Sequence, residues 1–262
     1  MLIDTNAYLG PYAFRRLRHN TPGGLLKLMD AKGIAKAAVS SAAAITYRNP
    51  QSGNEELAEA VRPHRDRLIP LAVINPTYAG WKDDLKICHE EYGMKGLRLY
   101  PKWHRYELAD PGCLDLVRLA AERNMVISIP LRVEDYRQRS WLVDVPDLRP
   151  ADLAPLVKAC PKARFVLANG SGFAGSPLGR KDQGLPANYV IEISRLTAVM
   201  ANEIGELVGR LGPDRVVFGT GMPFNSPDPA LVKLEVLDVP EEVKEQIRWK
   251  TAARLFGLKQ PV

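Results

Sequence analysis

Short apolar segments recur along the chain, and stretches with helical spacing separate them. The segments are rich in β-branched residues and lie at residues 1–8, 35–40, 68–75, 95–101, 125–131, 163–170, 188–194 and 215–221. Most of them are apolar at nearly every position rather than at alternate positions. This pattern is typical of strands that are buried on both faces of a parallel sheet, so it predicts eight such strands.

Helix signals stand between these segments. Thr21 followed by Pro22 predicts a capped helix that ends near Gly33. Ser52 and Glu55 have the spacing of a capping box, which predicts another helix start. Helical spacing also covers residues 79–92, 151–159, 197–211 and 240–256.

Eight strands that are each followed by a helix predict a (β/α)8 TIM barrel of the α/β class. No linker or shift in composition divides the chain, so we expect one domain over residues 1–262. The longest connections follow strands five and six, at residues 132–150 and 171–187. The second is rich in glycine and polar residues, which is compatible with a lid over the barrel or with an ordinary surface loop.

The first strand is unusually polar. Asp4, Asn6 and Tyr8 are spaced two residues apart, and the alternation of side chains along a strand predicts that all three share one face. In TIM barrels the chemistry lies at the C-terminal ends of the strands and in the loops that follow them. We therefore expect this face to point into the barrel, toward a site at its mouth.

Composition narrows the classes of protein. Hydrophobic residues make up 46% of the chain and charged residues 25%, which is enough for a sizeable core. No apolar run approaches the ~20 residues that span a bilayer, and Asp4 interrupts the start where a secretory signal would be apolar. The three cysteines lack paired spacing, so we expect a cytoplasmic protein with buried thiols. The net charge of +6 comes without a nucleic-acid-binding motif, so we expect neither a nucleic-acid nor a membrane partner.

One motif for nearly every predicted strand occurs in a fixed order. The motifs are IDTNAYLG, GNEELAEAVRPHRDRLIPLAVINP, GMKGLRLYP, RNMVISIP, ARFVLANGSG, VVFGTGMPF and, near the end, RWKTAARLFGL. Together they resemble the amidohydrolase superfamily, in particular the amidohydrolase-related branch that includes aminocarboxymuconate-semialdehyde decarboxylase. The resemblance covers nearly the whole chain and implies the TIM-barrel fold.

The resemblance also implies a metal site at the barrel mouth, but its ligand positions are replaced. The family places two histidines at the end of strand one, a histidine at the end of strands five and six, and an aspartate after strand eight. These positions fall on Asn6, Tyr8, Pro130, Asn169 and Gly221. Such residues are poor donors for zinc and its relatives, or offer no donor. We therefore expect no metal and no cofactor, although Asp4 and Glu192 leave a weak Mg²⁺ or Ca²⁺ site open.

Two functions are compatible with a barrel mouth that lacks the family's metal ligands. The first is a metal-independent hydrolase for a small carboxylated substrate such as a lactone or an ester, because the superfamily includes lactonases and lactone isomerases that work without metal. The second is a catalytically inactive pseudoenzyme that binds a small acidic ligand or a protein partner. Arginines and lysines in the loops after strands one, four, five and six favour a small anionic ligand, and a solvated basic surface is the alternative. Relatives often dimerise, which leaves a homodimer open.

The hydrolase hypothesis assigns roles to individual residues. Asp4 is the predicted general base, Arg98 and Tyr100 bind a substrate carboxylate or a developing oxyanion, and His104 carries a proton. The predicted substrate-binding residues are Asn6, Tyr8, Asn169, Arg132 and Glu192. Structural alternatives stay open, since Asp4 could hydrogen-bond buried backbone or pair with Arg98, Tyr100 could belong to the core, and His104 could be a solvated loop residue.

Overall fold

The structure, a computed structural model, describes residues 1–47 and 49–259. Within them, eight parallel strands pair in chain order as one sheet. The strands are β1 Ile3–Leu9, β2 Lys36–Ser41, β3 Leu68–Val73, β4 Gly96–Arg98, β5 Val126–Pro130, β6 Arg164–Ala168, β7 Tyr189–Glu192 and β8 Val216–Val217. The predicted TIM barrel is confirmed.

Hydrogen bonds between β1 and the chain at the end of β8 close the sheet into a barrel. The amides of Thr5 and Tyr8 donate to the carbonyls of Phe218 and Met222 at 3.1 and 2.8 Å. The amide of Gly221 donates to the carbonyl of Asn6 at 2.7 Å. The C-terminal end of β1 therefore lies beside residues 218–222.

Helices form the outer layer, and several of them begin with a proline, whose missing N–H is no loss in the first turn. The helices are α1 Pro22–Ala31, α2 Pro50–Val61, α3 Trp81–Glu90, α4 Pro101–His104, α5 Pro111–Glu122, α6 Pro150–Ala159, α7 Glu203–Leu211, α8 Asp228–Val236, α9 Glu241–Glu245 and α10 Thr251–Phe256. A π-helical turn, Gln246–Lys250, joins α9 to α10. In the described part of the chain, no helix is long and apolar enough to cross a membrane.

The predicted capping box at the start of α2 is wrong. This helix begins at Pro50 because the side chain of Asn49 accepts a hydrogen bond from the amide of Gln51 at 3.1 Å. Ser52 therefore lies inside the helix and does not cap it with Glu55. Likewise α7 begins later than the spacing over residues 197–211 predicts.

The predicted alternation of strand and helix fails after β6. Residues 169–188, all of which are described, contain two short 3-10 turns, Pro177–Gly179 and Lys181–Gln183. The buried side chains of Phe173 and Leu178 pack against the sheet in place of a helix. This packing is tight, since a β-carbon on Gly179 would lie 2.3 Å from the carbonyl oxygen of Phe173. Glycines and prolines favour such an irregular segment over a helix.

The inside of the barrel is divided into an apolar half and a polar half. Apolar side chains fill the N-terminal half together with α10, among them Ile3, Ala38, Leu71, Val126, Val166, Val190 and Val217. The polar side chains inside the barrel are thus confined to the C-terminal half, where the loops that follow the strands meet.

A β-bulge interrupts the alternation along β1. Asp4 pairs with Ala37 of β2, but Ala7 pairs with Val39, so β1 contains one extra residue. A one-residue slip moves the following side chains to the other face of the sheet. The prediction that Asp4 shares a face with Asn6 and Tyr8 is therefore wrong for Asp4.

A buried asparagine fixes the C-terminal end of β3. The side chain of Asn54, on α2, accepts a hydrogen bond from the amide of Val73 at 2.7 Å and donates to its carbonyl at 2.8 Å. Val73 in turn pairs with Arg98 on β4. Asn54 thus stabilises the strand end next to the polar half of the barrel.

We expect Asn54→Ala to lower the free energy of unfolding by roughly 2–4 kcal/mol, because two buried backbone groups of Val73 lose their partner. Denaturant titration measures the loss. The control is Ser52→Ala, an exposed position in the same helix, which should stay within about 0.5 kcal/mol of wild type. Equal losses in the two variants would contradict the role of Asn54.

Candidate active site

Arg98 lies at the centre of the polar half of the barrel and is fully buried. Its Nε donates to Oγ of Ser128 at 3.2 Å, and its Nη1 donates to the carbonyl of Ala7 at 2.9 Å and to Oγ of Ser40 at 3.0 Å. Its Nη2 donates one long bond, 3.4 Å, to the carbonyl of Thr5. Among the described residues, no ion pair includes Arg98. A buried cation whose hydrogen bonds all go to neutral groups is uncommon, because a directly bonded anion would offset its desolvation more fully.

Two buried tyrosines flank this guanidinium. Its Cζ lies 4.6 Å from the ring centre of Tyr8, which is a cation–π contact. The hydroxyl of Tyr100 lies 3.4 Å from Oγ of Ser40, and the hydroxyl of Tyr8 has no partner in the described part of the chain. Burial raises the pKa of both phenols above its ordinary value. Both tyrosines therefore remain protonated at neutral pH and can donate a hydrogen bond.

Glu192 is a fully buried carboxylate whose hydrogen-bonding capacity is used. Its Oε2 accepts from Nδ2 of Asn6 at 3.1 Å, from the amide of Asn169 at 2.9 Å and from Oγ of Ser194 at 2.8 Å. Its Oε1 accepts from the amide of Ser194. Burial raises the pKa of Glu192, and these four hydrogen bonds oppose that rise. Oε2 thus accepts three hydrogen bonds and Oε1 accepts one, so most of the acceptor capacity of this carboxylate is used by protein donors.

Asp4 lies in the seam between β1 and residues 218–222. Its Oδ1 accepts from the amides of Asn6 and Thr220 at 2.8 and 3.1 Å, and its Oδ2 accepts from Oγ1 of Thr220 at 2.5 Å. Burial raises the pKa of Asp4 from 3.8 to about 7, against the opposing effect of these bonds. A carboxyl group that titrates near neutrality suits general base catalysis. Its role as the base stays a prediction.

His104 is buried at the end of α4 and is therefore not a solvated loop residue. Its Nε2 lies 3.2 Å from the carbonyl of Ala44. Because a carbonyl only accepts, Nε2 carries the proton and Nδ1 is an acceptor without a described partner. Burial lowers the pKa of His104 to about 4, so the ring is neutral at physiological pH. Its role as a proton carrier stays a prediction.

A guanidinium and two amides fill the space beside two of the replaced ligand positions. A β-carbon on Gly221 would lie 2.5 Å from Nδ2 of Asn225. Arg195 donates to Oδ1 of Asn225 and to Oδ1 of Asn169, both at 3.3 Å, and to Asp135 at 2.6 Å. Sequence reasoning missed Arg195 and Asn225, although each lies a few residues after the end of a predicted strand. A guanidinium here disfavours a second cation.

The donor set does not fit the metal centre of the family. Pro130 and Gly221 offer no side-chain donor, and the oxygens of Asp4 and Glu192 accept hydrogen bonds from protein groups. Within residues 1–47 and 49–259, no group of three or more His, Cys, Asp and Glu side chains is placed to hold one metal ion. The geometry therefore gives no support to the weak Mg²⁺ or Ca²⁺ site that the sequence left open.

The predicted site residues fall into separate groups. Arg98 lies with Tyr8 and Tyr100, whereas Asn6 and Asn169 lie with Glu192. The side chain of Arg132 does not join either group. It lies at the rim, where it pairs with Asp147, and only its carbonyl accepts from Asn169, at 2.7 Å.

Most of the cations around the mouth are paired with carboxylates. The pairs are Arg15–Glu134, Lys102–Glu107, Arg132–Asp147, Arg139–Asp147, Arg137–Asp135 and Arg195–Asp135. Pairing reduces the field that these loops project into solvent. The paired cations at the rim therefore support an anionic ligand less strongly than the buried guanidinium of Arg98 does.

Aromatic side chains close the mouth above Tyr8. We call Tyr12, Phe14, Trp103 and Phe224 the aromatic cover. The ring centre of Phe224 lies 4.8 Å from that of Tyr8 and 4.9 Å from that of Tyr12, in edge-to-face contacts. The cover joins the loop after β1, the helix α4 and the loop after β8, so these three elements would have to separate to admit a ligand.

Hydrogen bonds of Arg15 hold the aromatic cover in place. Nε of Arg15 donates to the buried Glu134 at 2.9 Å, and its Nη2 donates to the carbonyl of Phe224 at 2.8 Å. The cavity that remains beside Tyr100 and Arg132 has a volume of about 10 Å³, which is enough for one water molecule. The polar half of the barrel is therefore closed in this conformation.

The high pKa of Asp4 predicts how stability changes with pH. The folded protein holds this proton up to about pH 7, whereas the unfolded chain loses it near 3.8. Stability from this group is therefore full at low pH and falls as the pH rises from about 4 to 7, by up to roughly 4 kcal/mol. Asp4→Asn mimics the neutral acid, so the variant should gain stability relative to wild type between pH 5 and pH 8.

Denaturant titrations at both pH values measure this difference. Asp115→Asn, an exposed position on α5, is the control and should keep a constant difference from wild type. Asp4→Asn behaving like this control would contradict the raised pKa of Asp4.

Solved structures of other proteins share the fold of this chain. The chain is similar to 2,6-dihydroxybenzoate decarboxylase from Rhizobium, with 16% identity over 98% of both chains and a TM-score of 0.72. It is similar to a dihydroxybenzoic acid decarboxylase from Polaromonas sp. JS666 with bound manganese, with 18% identity over 90% of this chain and 86% of that one, and a TM-score of 0.69. A probable 2-pyrone-4,6-dicarboxylic acid hydrolase from Acinetobacter baumannii, with citric acid bound, shares 14% identity over 98% and 99% of the two chains at a TM-score of 0.67.

Comparison of sequences identifies the family. A search of curated proteins finds no match. The family model described as amidohydrolase matches residues 4–258, which is nearly the whole chain. The match agrees with the order of motifs along the strands. The chain therefore belongs to the amidohydrolase family.

Proposed function

We propose that this protein binds a small carboxylated molecule at Arg98 and hydrolyses it, as a lactone or an ester, without a metal ion. The observation that carries this proposal is the buried guanidinium of Arg98, which has no carboxylate partner in the described chain. A substrate carboxylate or a developing oxyanion would provide the missing negative charge. The decarboxylases and the hydrolase that share the fold are named for small carboxylic acids, which supports this substrate class.

The proposed reaction is attack of water on the ester or lactone carbonyl. A base must accept the proton of that water, and Asp4 is the candidate because its pKa of about 7 leaves it partly ionised at neutral pH. Its carboxyl group would have to turn from Thr220 in the seam toward the mouth to reach this water. The oxyanion that forms would accept hydrogen bonds from Nη2 of Arg98 and from the hydroxyl of Tyr8. Its collapse would break the bond between the acyl carbon and the alkoxide oxygen, and the alkoxide would take up the proton that the base removed from water. Nη2 makes one long bond and the Tyr8 hydroxyl makes none among the described residues, so both have capacity to donate.

Entry of the substrate requires a conformational step, because Arg98 and both tyrosines are buried. The loop after β1 is the part of the cover that Arg15 holds in place. Release of Arg15 from Glu134 would allow Tyr12 and Phe14 to move away from the mouth. Lid motions of this kind commonly accompany substrate binding in enzymes.

A second candidate function is binding without turnover. It is favoured by the closed hydrogen-bond network around Glu192, which satisfies this carboxylate with protein donors alone. Such a network stabilises the barrel whether or not a reaction takes place. Under this alternative the same Arg98 would hold an acidic ligand that is not converted.

A screen of carboxylated lactones and esters tests the proposal. We expect turnover that survives dialysis against a chelator, and a loss of roughly 10²–10³-fold in kcat/KM in Arg98→Met, the magnitude typical of an oxyanion donor. Asp4→Asn should lose turnover while it keeps ligand binding, since it removes the proton acceptor and leaves Arg98 in place.

The matched control is Arg215→Met. Arg215 also packs on a tyrosine, with its Cζ 4.2 Å from the ring centre of Tyr189, but it precedes β8 at the opposite end of the barrel. This variant should keep the wild-type kcat/KM. Binding that depends on Arg98 without any turnover would favour the second function. One equivalent of zinc or manganese retained after dialysis would contradict a metal-free site.

A further inference from the structure

Basic side chains gather at the end of the barrel opposite the mouth, and the described part of the chain supplies them with no acidic partner. A cavity of about 300 Å³, here called the basal cavity, opens at the N-terminal ends of β4, β5 and β6. Its cationic lining consists of Lys95, Arg123 and Arg164, and His89 lies beside them. This cavity is separated from Arg98 by the apolar half of the barrel.

Backbone carbonyls hold the two arginines in place. Arg164 donates through Nη1 to the carbonyl of Leu255 at 2.9 Å and through Nη2 to the carbonyl of Asn124. Arg123 donates through Nη1 to the carbonyl of Leu119 at 3.0 Å. Carbonyls orient a guanidinium without neutralising it, so both positive charges remain available to a ligand.

Among the residues that the structure describes, none that lines the basal cavity is acidic. None of the ion pairs in residues 1–47 and 49–259 includes Lys95, Arg123 or Arg164, in contrast to the paired cations around the mouth. Nδ1 of His89 is buried and has no partner among these residues. The cavity therefore combines three unneutralised cations with an unused polar atom.

We propose that the basal cavity binds a small phosphorylated molecule. Arg123, Arg164 and Lys95 would hold its phosphate groups, because guanidinium groups bind phosphate oxygens in a bidentate manner and lysine adds a point charge. Three cations suit a diphosphate better than a monocarboxylate. Met125 and Phe256 also line the cavity and offer an apolar surface to the rest of the ligand. This site is separate from the proposed function at the mouth and does not depend on it.

Calorimetric titration of the full chain with inorganic diphosphate, at constant ionic strength, tests the proposal. We expect saturable binding with one equivalent, weakened at least about tenfold, which is roughly 1.4 kcal/mol, in the double variant Lys95→Gln with Arg123→Gln. Arg164 is left intact in this test because it ties β6 to the carbonyls of Leu255 and Asn124.

Two controls distinguish this site from other causes of anion binding. Lys82→Gln with Lys86→Gln removes two exposed charges from α3 and should change the affinity by less than about twofold. Arg98→Met should leave diphosphate binding unchanged. Absence of saturable binding, equal weakening in the α3 control, or loss of binding in Arg98→Met would each overturn the proposal.

Discussion

The buried charge of Arg98, which has no ion-pair partner in residues 1–47 and 49–259, is the constraint on which the polar half of the barrel depends. The guanidinium is solvated by groups from three strands, namely the carbonyls of Thr5 and Ala7 on β1 and the hydroxyls of Ser40 and Ser128 on β2 and β5. The bulge in β1 lies at this point of the strand, and both carbonyls beside it bond the guanidinium. Local irregularity of the backbone thus helps to stabilise a charge that is buried inside the barrel.

Asn6 and Tyr8, the strand-one residues at which the resemblance places metal ligands, contact two buried charges of opposite sign. Asn6 donates to Glu192, while the ring of Tyr8 lies against Arg98. In the family a metal cation would bind the side chains at both positions. In this chain Asn6 and Tyr8 each contact a charged side chain, which gives a physical reason why both positions are polar.

Much of the fold, and part of the site, follows from the sequence. Buried parallel strands are nearly continuous in their hydrophobicity, and barrel geometry brings strand ends together, so Arg98 and Glu192 could be placed at the mouth. The bulge that turns Asp4 toward the seam could not be predicted, because strand register depends on partners far away in the chain. The sequence also could not predict the contact of Arg195 with Asn169 or the aromatic cover, because these contacts join loops that are far apart in the chain. The irregular segment after β6 agrees with the glycine-rich connection predicted at residues 171–187, although it departs from the rule of one helix after each strand.

The central claim is that an anion, and no metal, binds at the mouth beside Arg98. Anomalous diffraction from crystals grown with manganese and isophthalate, a small aromatic dicarboxylate, tests it most directly. We expect one carboxylate of isophthalate within hydrogen-bond distance of Nη2 of Arg98 and the hydroxyl of Tyr8, a displaced loop after β1, and no manganese peak at the mouth. A manganese peak between Asn6 and Asn169, or isophthalate bound at the mouth away from Arg98, would contradict it.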